Sequence, residues 1–356
     1  MRLLLLLLLI PLPLWADGKP QENAPSIQVI RTALEWMQST DPARRRAAYR
    51  SAHLLGKEAV PAFSAALRKA RKFHADRLAR LLNDRTTKGN PYLKLEPIAE
   101  ELIPERERVY ALIKTDYQKD PAKIRMLRNE FEGLEQLYEQ AARITRTDPS
   151  AFDAEVDAMA AVLVELDLEI ARFENDSLRD SGASADELRE QALSDSFDGD
   201  RYLQGKTRFD TLKAEREALA AADAANARCS WASSSQKNFA AHLNHERGVM
   251  GLGPLRLDEL LSKAATGHSN DMRTIGFFDH SSPVKGKHSP SDRARKAGFQ
   301  GRWTGENIYM GSSVHTAAYS GWFGSDGHRF IMFATGPNLI GIGPVGKHWT
   351  LMTGRR

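Results

Sequence analysis

The texture of the chain changes near residue 234, and that change limits the folds open to it. Upstream, large apolar residues recur at helical intervals; downstream, glycine, aromatic residues and most of the histidines gather. The interval is plainest between Ile124 and Phe173. Leu127, Phe131, Leu134, Tyr138 and Ala141 step by four and three, and after "RTDPSA" the step returns in Phe152, Val156, Met159, Leu163, Leu166, Ile170 and Phe173. Such a step keeps one face of a helix apolar and scatters over both faces of a strand. It predicts two helices joined by a short Asp-Pro turn, an antiparallel helical hairpin whose stripes are packing seams rather than a ligand groove.

Before this hairpin, "DPARRRAAYRSAHLLGKEAVPAFSAALRKA" has a helix start at Asp41 and Pro42, a stop at Gly56, and an apolar face of Ala59, Val60, Phe63, Ala66 and Leu67. The segment is similar to a single HEAT-type helix pair at about 40–70, with no second clear copy. After the hairpin, "NDSLRDSGASADELREQALSDSFDGD" is rich in Ser, Asp and Gly, the composition of a linker with one short helix. A last helix, about 201–228, leads through "CSWASSSQ" into the C-terminal region.

The chain opens "MRLLLLLLLIPLPLWADG", where Arg2 precedes an apolar run from Leu3 to Trp15. That run is shorter than the ~20 helical residues a bilayer requires. It reads as a secretory signal over residues 1–16, cut after Ala16, and sets the expectation of a secreted or periplasmic bacterial protein without a transmembrane segment. Cys229 is the only cysteine, so no internal disulfide is expected and stability must come from packing. From Ser234 to Arg356 there are 15 Lys and Arg against 8 Asp and Glu, a mild basic excess suited to an anionic envelope polymer or lipid head groups. No run of five like charges and no basic-aromatic stripe marks a nucleic-acid face.

In the C-terminal region "QKNFAAHLNHERGVMG" reads as a helix that carries His242 and His245 as an exposed pair. A second helix, "LDELLSKAATGHSNDMRTIGF", starts at the N-cap Asp258 and stops at Gly276; its apolar stripe of Leu261, Ala264, Ala265, His268, Met272 and Ile275 turns His268 inward. "FFDHSSP" then presents His280 on an aromatic-backed loop. "TGENIYMG" sets Glu306 at the start of a strand, where a carboxylate is costly to bury unless it meets a cation, a metal or a histidine. A short helix, Val314–Phe323, delivers "GWFGSDGHRF" with His328, and "NLIGIGPVGKHWTLMTG" closes as two short strands, Leu339–Ile342 and His348–Met352. Two histidines and a carboxylate from three separate segments are the ligand set of an open zinc site, and they suit acid–base chemistry equally.

The run from His242 through "FFDHSSP", then "GENIYMG", "GWFGSDGHRF" and "IGIGPVGKHWTLMTG", in this order and over residues 238–353, resemble the CAP superfamily, also called the SCP or PR-1-like family, in its short bacterial form. The resemblance implies an α-β-α sandwich with an antiparallel sheet and a cleft lined by two histidines and two acids. Position by position it puts the cleft on His280, Glu306 and His328, as acid–base residues or as ligands of zinc or calcium, with His268 supporting them from beneath. Some members bind sterols or fatty acids elsewhere on the domain. The second glutamate of longer members is missing: Trp322, Phe323, Gly324 and Ser325 stand there, and the nearest carboxylate is Asp326.

The expected fold class is α+β: a signal peptide (1–16), an all-α region (25–173), a linker with a helix (174–233) and a CAP-type domain (234–356). The favoured function is a secreted binding module whose cleft takes a ligand or metal, lipid or envelope polymer among the candidates, with the helical region as spacer or docking surface for a protein partner. The alternatives are a zinc-assisted hydrolase and a structural envelope protein with a vestigial cleft. No serine or cysteine nucleophile elbow is present, which weighs against the covalent hydrolases.

Overall fold

The structure is a computed structural model that describes residues 27–53, 60–86, 89–174, 184–194 and 199–356. The signal-peptide segment lies outside these residues, as do Gly56 with most of the "LGKEAVPAF" turn and parts of the linker. Two compact units divide the chain: residues 1–93 with 148–205, and residues 94–147 with 206–356.

The first unit is helical. It holds α1 (Ile27–Met37), α2 (Pro42–His53), α3 (Val60–Leu82), α6 (Ser150–Glu174) and α7 (Ala185–Ser194), with the adjoining ends of α4 (Pro91–Ile113) and α8 (Gly199–Ala227). Met37, Tyr49, Phe63, Leu67 and Leu166 form its core. Beside that core the buried Arg45 donates to Glu165 at 2.9 Å and to the carbonyls of Ser39 and Thr40, which fixes the turn between α1 and α2.

The second unit adds α5 (Pro121–Thr145), α9 (Ser234–Val249), α10 (Glu259–Ile275), α11 (Pro290–Lys296), α12 (His315–Phe323) and α13 (Asp326–Met332) around a four-stranded sheet. The strands are β1 (Arg256–Leu257), β2 (Arg302–Met310), β3 (Leu339–Val345) and β4 (His348–Arg355), in the order β1-β3-β4-β2. β1 runs parallel to β3, the other pairs are antiparallel, and β2 is an edge. The class is α+β, as expected. The strands run longer than the apolar sequence alone suggests, and Glu306 lies within β2 rather than at its start.

The sheet faces follow from the period-two alternation. Gly341 and Gly343 in "GIG" face α10; a Cβ on either would stand 2.3 Å or less from the backbone of Leu261 or Ala265, so only glycine lets the helix lie this close. Met352, opposite Gly341, packs with Leu261, Ala265, Ala294 and Phe299 on that side. The other face carries Ile342, Leu351 and Trp349; there Phe239 of α9 meets Trp349 at a tilt and Trp322 of α12 edge-on. Helices on both faces make an α-β-α sandwich.

The two seams read from the sequence are buried, but each has a partner other than the one expected. In α6, Val156, Leu163, Leu166 and Ile170 are buried, and the helix packs on α3 within the first unit. In α5, Leu127, Phe131, Leu134, Tyr138 and Ala141 are buried, and Phe131 meets Phe323 and Phe333 of the second unit, with centroids 6.4 and 6.2 Å apart. Periodicity names the buried face of a helix and not what covers it. The same packing corrects the reading of His242 and His245 as an exposed pair: His245 bonds Glu135 of α5 at 2.6 Å, while His242 bonds Glu246 at 3.2 Å and stacks on Tyr319. Glu246 also accepts from Arg128 of α5 and from Tyr319.

A test of the sheet–helix approach is Gly343→Ala. The added methyl has no room against the α10 backbone, so the variant should lose about 2–3 kcal/mol or more in denaturant unfolding, whereas Gly253→Ala, where nothing stands within 4 Å, should stay near the wild type.

Candidate functional site

The site forms along edge strand β2. Alternation sends the side chains of Glu306 and Asn307 to opposite faces of the sheet, the register placing them beside Met352 and Leu351. Glu306 goes to the α10 side and meets the loop that carries His280; Asn307 goes to the other side, where its Nδ2 donates to the carbonyl of His328 at 3.0 Å. The two histidines therefore come to one strand from its two faces. Gly305 helps this: α13 lies so close that a Cβ there would be 2.9 Å from Ile331.

Glu306 is buried, its side chain 1% exposed, and its charge is met by a cation that the sequence reading did not name. Arg293, equally buried, donates through Nη2 to both carboxylate oxygens at 2.7 and 2.6 Å and to the carbonyl of His280 at 3.0 Å; its Nη1 donates to the carbonyls of Lys287 and His288. One guanidinium thus neutralises Glu306 and shapes the 280–288 loop around it. Arg293 sits on the seven-residue α11, started by a Ser289–Asp292 capping box. The sequence signal for it is that a buried carboxylate requires a cation, and the short helix "SPSDRARK" supplies one.

His280 Nδ1 lies 2.9 Å from Glu306 Oε1. A carboxylate only accepts, so Nδ1 carries the hydrogen, and in the neutral ring Nε2 is then the acceptor. The His280 side chain is 48% exposed. Beneath it, the buried His268 donates Nε2–H to the carbonyl of Asp279 at 3.0 Å and packs on Phe277, which steadies the residue next to His280. Burial, aided by Arg293, lowers the His268 pKa below the ordinary histidine value. His328 is lowered too, by burial first and then by the nearby charges of His280 and Lys119.

Asp326, considered as a fourth cleft residue, is spent elsewhere. Its Oδ1 accepts from the Tyr117 backbone N–H at 3.1 Å and from Arg329 Nη2 at 2.6 Å. Burial works against the charge, but these donors hold its pKa down at about 2. A zinc or calcium ion does not fit the remaining three residues as they stand. Both oxygens of Glu306 already accept from Arg293, a permanent positive charge where the cation would have to sit, and Glu306 takes up the Nδ1 side of His280. Among the described residues no group of three or more His, Cys, Asp or Glu side chains is placed to hold a metal ion.

Residues 240–347 match the model of the Cysteine-rich secretory protein family, CAP. These residues form a CAP domain. Over 120 residues the chain is 38% identical to YkwD of Bacillus subtilis (strain 168), covering 33% of this chain and 46% of that protein. Over 116 residues it is 32% identical to the B. subtilis membrane protein YlbC, covering 33% of each. The chain therefore spans less than half the length of these curated relatives. Among solved structures, similarity is found to an SCP-domain extracellular protein from Bacillus anthracis str. Ames, at 29% identity over 34% of this chain and 40% of that one, with a TM-score of 0.33. It is also found to an outer surface protein of Borrelia burgdorferi, at 16% identity over 34% and 91% of the two chains, with a TM-score of 0.29. Within the CAP domain lie His268, His280, Arg293, Glu306, Asp326 and His328; Tyr117 and Lys119, which also reach the site, lie outside it.

Two measurements check this geometry. Arg293→Ala strands a buried carboxylate and should cost about 3–5 kcal/mol in denaturant unfolding, most of it recovered when Glu306→Gln is added, since the pair is lost together. In a histidine NMR titration, His328 should lose its proton below the ordinary value of about 6.5, and His280→Asn should raise it. Because the folded-state pKa is the lower one, the His328 contribution to stability is full above the unfolded-state pKa and falls as pH drops from about 6.5 toward the folded value.

Proposed function

We propose that the CAP-domain cleft along β2 is a ligand-binding edge read by His280 and His328, and that the protein works as an exported binding module. The observation that carries this reading is the Arg293–Glu306–His280 chain. It engages every oxygen of the buried acid and holds His280 by Nδ1, which leaves Nε2 without a partner within the site. A carboxylate held by a permanent cation is a poor general base and a poor metal ligand, whereas a rigid imidazole with a free acceptor is a good recognition group. The exported setting rests on the Arg2–Ala16 leader sequence; among the described residues no helix is long and apolar enough to cross a membrane.

A second reading has one observation in its favour. A carboxylate-oriented imidazole with a free Nε2 is also the arrangement that moves protons, so a metal-free hydrolase using His280 as its base is the alternative.

Native mass spectrometry separates the readings. The full chain, incubated with an extract of bacterial envelope and gently desalted, should retain an adduct that the His280→Ala/His328→Ala variant does not. No adduct in the wild type, or the same adduct in both, overturns the binding reading. Turnover of an ester, peptide or glycan surrogate that disappears in His280→Gln would establish the alternative.

A further inference from the structure

A groove of about 660 Å³ lies on the second unit at the β1 edge of the sheet, the edge opposite β2. One wall is α8, which turns Ala218, Ala221, Ala222 and Ala225 toward it; the other is β1 with Leu339 of β3. The walls are held at a fixed spacing by the buried Asn226 of α8, whose Nδ2 donates to the carbonyl of Leu255 at 3.1 Å and whose Oδ1 accepts from Leu257 N–H at 2.7 Å. Only methyl groups project from this side of the helix, so the space between the walls stays open. β1 belongs to the CAP match and α8 does not, so the groove is built from both parts of the chain.

Three arginines line the groove: Arg228 just past the end of α8, Arg256 on β1, and Arg356. Arg356 is already engaged, since its Nη2 donates to Asp258 at 3.0 Å and its guanidinium lies over the Phe299 ring, 4.9 Å from the centroid. Asp258 is the one acidic side chain of the lining among the described residues, and its other oxygen caps α10 through Leu261 N–H. A carboxylate at Arg356, whose main-chain oxygen accepts from Asn338 Nδ2 at 3.1 Å, adds a second negative charge. Three guanidiniums therefore stand against two acids, and the excess falls on Arg228 and Arg256, which are exposed and make no ion pair among the described residues. The C-terminal carbonyl of α8, that of Ala227, is met by Lys237 Nζ at 2.8 Å, so the helix end does not claim Arg228 as its cap.

We propose that this groove is a second ligand site, which takes a soluble phosphate monoester on a small apolar body. A carboxylate is filled by one guanidinium fork, whereas a phosphate monoester offers three oxygens and between one and two negative charges, enough for two guanidiniums at once. The alanine methyls of α8 and the leucine side chains opposite take the apolar body, and the volume falls within the roughly 300–1,000 Å³ of small-molecule sites. The site is separate from the β2 cleft and does not rest on the reading of that cleft.

The test titrates phenyl phosphate, phenol and inorganic phosphate into the full chain by calorimetry at one pH and ionic strength. Phenyl phosphate should bind saturably, with a Kd about tenfold or more below that of either fragment, the size expected of a charge-assisted contact joined to apolar burial. Arg228→Gln/Arg256→Gln should remove that advantage, and Ala221→Glu, which sets a carboxylate in the groove, should do the same. All three positions are exposed, so the thermal midpoint of each variant should stay at the wild-type value. His280→Ala/His328→Ala should bind phenyl phosphate as the wild type does. Failure of phenyl phosphate to bind, binding that survives Arg228→Gln/Arg256→Gln, or equal binding of inorganic phosphate overturns the inference. Loss of binding in the double-histidine variant overturns it too, because the ester then sits in the β2 cleft.

Discussion

The Arg293–Glu306 pair is the interaction on which the site depends. A carboxylate buried in a sheet carries a desolvation penalty of several kcal/mol, which a single exposed histidine does not offset, so without a buried cation the strand could not hold Glu306 there as an anion. Arg293 supplies that cation and also donates to the carbonyls of residues 280, 287 and 288. The charge pair and the loop shape are therefore one structure: moving the loop would unpair the acid, and removing the acid would release the arginine that folds the loop. His280 inherits its orientation from both.

Much of this region was legible in the sequence. Caps and stops at Asp258 and Gly276, the inward turn of His268, and the order of His280, Glu306 and His328 along three segments were all readable, because each follows from a local rule about turns, periods or the cost of burial. The unread parts depend on partners far away in sequence. Nothing local to Arg293 says that it will meet Glu306 rather than solvent, and nothing in "GSDGHR" says that Asp326 will meet Tyr117, 209 residues before it. The helical stripes failed in the same manner: Phe131 was placed on a buried face, but not against Phe323 and Phe333.

Strand β2 shows how little sequence is required to build a two-sided site. Adjacent residues in a strand face opposite ways, so the dipeptide Glu306–Asn307 anchors one segment on each face of the sheet. An edge position is what makes this useful, since on that side no neighbouring strand stands between the two segments. The glycine before the pair completes the device by letting α13 lie against the strand.

The Arg329 fork carries a consequence for where this domain ends. Two of the carbonyls it binds, those of Ile113 and Thr115, belong to chain more than two hundred residues away and outside the family boundary. Phe323 and Phe333 likewise take part of their cover from Phe131, and Glu246 takes a counter-charge from Arg128. Cut at the edges of the CAP match, the chain would keep both histidines but lose β4 from the middle of the sheet, and would expose a guanidinium with unmet donors and two bare aromatic rings. The segment shared with relatives and the segment that can close its own core are different lengths here, and the helices between residues 94 and 147 are built into the domain, not appended to it.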